Sequence, residues 1–126
     1  DTGPKEIIRA TIESVAYQTY DLFEAMKHDG LRPRLVKVDG GMVMNNWFSQ
    51  FLSDVVNVGV LRPKVQETTA LGAAFMAGLY IGSYKSLKDI SKNWSLDKKF
   101  KPKMKSSKRS KLIKGWSKAI KRTLIS

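Results

Sequence analysis

The stretch Leu35-Val36-Lys37-Val38-Asp39-Gly40-Gly41-Met42-Val43-Met44-Asn45-Asn46 constrains this chain more than any other. A short β-branched run ends on an acid, two glycines follow, and a helical pattern opens at Asn45 or Asn46. Strand, glycine turn and helix start together are a recurring way to hold a nucleotide. The glycines permit backbone angles or a close approach that a Cβ would block, and the unpaired amides of the helix start attract anionic or polar atoms. Gly-Gly after a strand also serves as a plain tight turn, so the motif alone leaves both roles open.

The flanking elements are read from periodicity. Pro4 marks a helix entry with Thr2 or Gly3 as cap. Ile8, Ile12, Val15, Ala16, Tyr20, Phe23 and Met26 then recur at helical steps, and Ile7, Tyr17 and Leu22 widen the stripe. This helix is expected to be buried on more than one side and to stop at Gly30, in a left-handed cap. His28 sits where the helix dipole favours a cation, which makes it a surface residue rather than a catalytic one.

Leu35 to Val38 form a strand with few polar alternations, as expected when both faces are covered. Trp47, Phe48, Phe51, Leu52 and Val55 share one face of the next helix, and Val56, Val58 and Val60 alternate as a second strand ending at Arg62-Pro63. A helix between two such strands is a βαβ unit, so the strands are predicted to be parallel with a right-handed crossover. A third helix starts at Glu67-Thr68-Thr69. Its Gly72 and Gly78 each cost about 1 kcal/mol relative to Ala, a cost expected where the helix presses on the sheet or on the glycine turn.

Beyond Gly82, Ser86 to Ser91 can make a short helix, and Trp94, Leu96 and Phe100 anchor a looser connection. Lys98 to Ser110 reads as a mobile Lys/Ser-rich linker. A last amphipathic helix places Leu112, Ile113, Trp116, Ala119, Ile120 and Leu124 on one face and lysines on the other. The expected division is therefore residues 1–97 as the folded part and 98–126 as basic linker and C-terminal helix.

At 126 residues the chain fits one domain. No apolar run approaches the roughly 18 to 20 residues of a membrane span. The chain has no cysteine and only one histidine, which excludes disulfide frameworks, thiolate metal sites and multi-histidine centres; a cytoplasmic setting is the default expectation. It begins at Asp1 with no Met, which is read as the tail of something longer.

The formal net charge of +12 is unevenly placed. Residues 1–84 carry eight Lys/Arg against nine Asp/Glu, whereas residues 85–126 carry fifteen against two. Such a tail suits nucleic acid or an anionic membrane surface. A solvated face with a lysine-rich compositional bias explains it as well, and neither partner is expected, because Trp94, Phe100 and Trp116 are better placed as packing anchors than as stacking platforms.

Four segments, taken together, resemble the C-terminal part of the FGGY carbohydrate kinases, and among them the glycerol kinases. Glu6 to Glu13, continued by Ser14 to Thr19, resembles the end of the family's second signature. Val38-Asp39-Gly40-Gly41 with Asn45-Asn46 resembles its adenosine motif, and Arg62-Pro63 with Glu67 to Ala74 resembles the helix behind it. Gly115-Trp116 with Lys118 to Arg122 is similar to the closing helix.

The resemblance implies an α/β fold, the C-terminal portion of an actin-like (ribonuclease H-like) ATPase domain. It would hold a short parallel sheet, packed helices and a C-terminal amphipathic helix. It also implies ATP-dependent phosphoryl transfer to glycerol, with ATP or ADP contacted by Gly40, Gly41 and Asn45. Gly41 would let backbone approach the nucleoside, and the Asn45 amide offers both donor and acceptor, although Asn45 also suits a helix cap. Asp39 is expected to hold the turn by accepting backbone hydrogen bonds rather than to bind Mg²⁺.

Family members are several times longer. Their catalytic Asp, phosphate loops, Mg²⁺ ligands and glycerol site lie upstream of the segment matched here. No catalytic or metal residue is therefore assigned, and no kinase activity is expected of the chain alone. Two strands leave an open edge, so the expected partner is the remaining kinase or a second copy of the chain. A non-catalytic remnant of a split gene is the third alternative.

Overall fold

Pro4, with its fixed φ and missing N–H, opens α1 (Pro4–His28), and the Glu6 carboxylate accepts from the Gly3 amide at 2.9 Å. The computed structural model describes residues 2–124. Gly30, at φ +82°, turns the chain after α1 as expected. The order continues with β1 (Leu35–Lys37), a 3₁₀ turn (Gly41–Met44), α2 (Asn46–Val56), β2 (Gly59–Pro63), α3 (Thr68–Tyr80), α4 (Leu87–Ser91), β3 (Leu96–Phe100) and α5 (Ser106–Thr123).

β1 and β2 run parallel with Val36 opposite Val60, which makes the β1–α2–β2 segment the βαβ unit that was expected. One detail differs. Val56 is the last residue of α2 rather than the start of β2, because Asn57 adopts a left-handed φ of 58° and the strand begins only at Gly59. Three valines at a spacing of two straddle a helix end and a turn.

The core gathers around α2. Phe48, Phe51, Leu52, Val55 and Val56 pack with Ala16, Tyr17 and Phe23 of α1 and with Val60 and Phe100 of the sheet. Tyr17 meets Phe51 edge-on at 5.7 Å, a preferred arrangement for the ring quadrupoles. Ser49 and Ser53 are fully buried on the same helix, and each satisfies its hydroxyl on a carbonyl: Ser49 donates to Val43 at 2.8 Å and Ser53 to Val58 at 2.7 Å.

The expectation of burial on several sides fails for α1. Ile7 and Leu22 are 59% and 58% exposed, since α2 and α5 cover only the face carrying Ala16, Tyr17 and Phe23. The sheet is likewise covered on one face only. Val36 packs on the core, while Leu35, its neighbour on β1, remains 51% exposed.

The larger correction concerns the tail. Leu96–Phe100 is a strand, paired antiparallel with β2, so the sheet is three-stranded and mixed rather than a parallel pair. The expected boundary after residue 97 falls within this strand, and the stretch read as a mobile linker is the end of β3, a short turn and the start of α5. That turn is fixed by Asp54 of α2, whose Oδ1 accepts from the amides of Lys103 and Met104 at 2.6 and 3.1 Å.

α5 then returns to α1. Trp116 stacks on Tyr17 at 5.4 Å and donates from Nε1 to Asp21 at 2.7 Å, so apolar contact and a charge-assisted hydrogen bond dock the basic helix on the core.

Candidate functional site

β1 and β2 both end at one side of the sheet, and the loops leaving those carboxyl ends lie together. The Gly40 amide donates to the Gln66 carbonyl at 3.3 Å, and the Thr68 hydroxyl donates to the Asp39 carboxylate. The glycine turn after β1 is therefore tied to the start of α3 after β2. In open α/β sheets, ligands bind in the crevice outside the carboxyl ends of parallel strands. Asp39 is exposed and braces the turn through the Thr68 side chain, not through backbone amides as expected.

Of the residues singled out from sequence, Gly40 carries the conformational demand. Its φ of +84° lies where a Cβ is strained, and it lets the chain leave the strand and enter the 3₁₀ turn. Gly41 begins that turn with no positive φ, and a Cβ there would meet nothing within 4 Å. Its face is open to a ligand and is not filled by the chain itself.

Asn45 follows as the cap of α2. Its Oδ1 accepts from the amides of Trp47 and Phe48 at 2.9 and 3.3 Å. The residue is exposed, and its Nδ2 donates to no group among the described residues, so the cap uses the acceptor and leaves the donor free. Gly40, Gly41 and Asn45, the residues that the family resemblance implies, all stand on the turn and helix start that follow β1.

Arg62 was read from sequence as the end of a strand and as part of a family-like segment, with no role of its own. It is 7% exposed, and its Nη1 donates to the Val43 and Met44 carbonyls at 2.9 and 3.1 Å, while Nε donates to Asp97 at 2.6 Å. These carbonyls close the 3₁₀ turn immediately before Asn45. An arginine at the end of a buried strand, within a family-like segment, was the signal in the sequence, and its acidic partner lies on the strand that periodicity did not reveal.

α3 meets the turn only at its start. Gly78 lies under the Tyr84 ring, where an added Cβ would come within 2.8 Å, whereas Gly72 has nothing within 4 Å. The close approach to the sheet or the glycine turn anticipated from Gly72 and Gly78 is therefore absent among the described residues, since the neighbour of Gly78 is Tyr84, just beyond the end of α3. Met76, Tyr80 and Ile81 leave the far side of α3 broadly exposed.

A cavity of about 290 Å³ lies beside the turn, lined by residues that include Val36, Val38, Asp39, Met42 and Phe48. A larger one, of about 520 Å³, lies between α1, α2 and α5 and shares no residue with the turn. The turn itself is an open rim rather than a closed cavity. Among the described residues no His/Cys/Asp/Glu group converges to hold a metal, and no helix is long and apolar enough to cross a membrane.

Residues 1–81 match the family model described as FGGY family of carbohydrate kinases, C-terminal domain. The chain is 52% identical over 122 residues to glycerol kinase 1 of Pseudomonas aeruginosa and 54% identical over 121 residues to the glycerol kinase of Thermoanaerobacter pseudethanolicus. These alignments take in 97% and 95% of this chain but only 25% and 24% of the relatives. The chain thus spans about a quarter of the length of the curated relatives it matches.

Among solved structures, Plasmodium falciparum glycerol kinase with ADP aligns over the whole chain and 26% of its own, with a TM-score of 0.81 and 36% identity. The ligand-bound xylulose kinase of Lactobacillus acidophilus aligns over 96% of this chain and 25% of its own, with a TM-score of 0.78 and 24% identity, a likeness of fold. The fold is the actin-like ATPase fold of sugar kinases, represented here by a C-terminal part of it.

Proposed function

Because the chain belongs to the FGGY family of carbohydrate kinases, we propose that it forms the nucleotide-binding C-terminal part of a glycerol kinase, which transfers the γ-phosphoryl group of ATP to a glycerol hydroxyl. Gly40 and Gly41 form a floor under the nucleoside, and the Asn45 Nδ2 donates to it. The observation that carries this reading is the free donor on a side chain whose acceptor is already committed to the helix cap. A capping residue needs only the acceptor, and the exposed Nδ2 belongs to the residue that closes the 3₁₀ turn opened by Gly41.

Phosphoryl transfer also needs a base, a metal and the polyol pocket. None of these is assigned to residues of this chain. They are expected from the three-quarters of the relatives' length that it does not span, working in the cytoplasm. The bare β1 edge and the exposed side of α3 are the surfaces that such a portion would cover.

ADP titrated into the chain, followed by amide exchange over residues 39–48, tests the reading. Protection confined to this segment supports it. Unchanged exchange there, with protection elsewhere or nowhere, contradicts it.

A further inference from the structure

The buried guanidinium of Arg62 spans a gap that no backbone pairing closes. The 3₁₀ turn ends with the carbonyls of Val43 and Met44, acceptors that the backbone amides of the following helix do not use. Nη1 reaches both, at 2.9 and 3.1 Å, and the Ser49 hydroxyl also donates to Val43 at 2.8 Å. Nε is turned to Asp97 at 2.6 Å, and the guanidinium lies 5.6 Å from the centroid of the Phe100 ring. A planar fork can serve a carboxylate on one edge and two carbonyls on another; an ammonium cannot reach both.

The two carbonyls it holds precede Asn45 directly, and the angle at which the chain enters α2 decides where the Asn45 side chain stands. Asp97 comes from β3, so a strand hidden in the basic tail fixes the orientation of a side chain on β2. That side chain in turn fixes the turn after β1. We propose that Arg62, oriented by Asp97, is the positioning residue of the nucleoside site, acting through the Val43 and Met44 carbonyls to set Gly41 and Asn45. The inference rests on the nucleotide reading above.

The test compares the wild-type chain with Arg62→Lys, Asp97→Asn and Val60→Ala, using ADP as the probe, isothermal titration for affinity and amide exchange for residues 40–48. Val60 is fully buried on β2, two residues before Arg62, and its apolar side chain offers no hydrogen bond to the turn, so its truncation is a control for general loss of stability. Arg62→Lys and Asp97→Asn are expected to weaken ADP binding about tenfold, the equivalent of one lost charge-assisted hydrogen bond, and to speed exchange across residues 40–48. Val60→Ala is expected to melt earlier yet bind ADP as the wild type does. Wild-type affinity and exchange in Arg62→Lys, or an equal loss of affinity in Val60→Ala, overturns the proposal. A wild-type chain that does not bind ADP contradicts the function proposed above; in that case the exchange comparison alone decides whether Arg62 holds the turn.

Discussion

Asn45 accepts the Trp47 amide at 2.9 Å through Oδ1, and this one bond separates two roles that the sequence left superimposed. Asn45→Ala removes the cap and is expected to cost about 1 kcal/mol of stability. Asn45→Asp keeps an acceptor oxygen and adds a charge that the helix start favours, so stability should hold. It loses the Nδ2 donor, and ADP affinity should fall in both variants. Urea melts and ADP titrations of the two side by side read the split. Full ADP affinity in Asn45→Asp would reduce Asn45 to a cap.

Gly40 tests the backbone directly. With φ at +84° and no atom within 4 Å of an added Cβ, the penalty of Gly40→Ala is conformational and not steric. An expected loss of about 1–2 kcal/mol follows from the left-handed geometry alone. Denaturant midpoints check it. An unchanged midpoint would mean that the turn relaxes at no cost.

Trp116 holds α5 to α1 through its stack on Tyr17 and its bond to Asp21. The side chain is half-buried, so Trp116→Ala should cost about 2 kcal/mol in lost apolar contact. Protease cleavage after the lysines of α5 should quicken more than cleavage in α1. Equal protection would show that α5 is held elsewhere.

Burial pushes the Tyr17 hydroxyl up to about 12, and the charge of Glu13, which accepts from it at 3.4 Å, adds to the shift. The folded state thus retains a proton that an unfolded tyrosine releases near pH ~10. Stability from this group is complete below about pH 10 and drains away as the pH rises towards 12. Thermal melts from pH 9 to 12 should therefore fall more steeply in the wild type than in Tyr17→Phe, while lysine titration affects both alike. Parallel curves would contradict the burial argument.

Much of the fold could be read where local chemistry decides it. Pro4 opens α1, Gly30 and Gly82 take the positive φ that ends their helices, and Ser86 caps α4 through the Asp89 amide. The glycine turn was legible for the same reason, since strand, turn and helix start are contiguous in sequence. What escaped depends on residues far apart. β3 reads as linker because Lys98 and Lys99 are the polar, edge-protecting side chains that an outer strand carries. The role of Arg62 depends on Asp97, thirty-five residues away, and no periodicity encodes that pairing. The second face of the sheet misled in the opposite direction: its apolar character is real, but no helix or strand among the described residues covers it.

Gly41 offers the most direct measurement. A Cβ there meets nothing within 4 Å and no positive φ opposes it, so Gly41→Ala should leave the melting temperature of the free chain within about a degree. If the Gly41 face is the floor under a nucleoside, the same methyl group occupies the ligand's space, and the rise in melting temperature that ADP gives the wild type should vanish in the variant. An ADP-induced rise of equal size in both proteins, or in neither, would contradict the account.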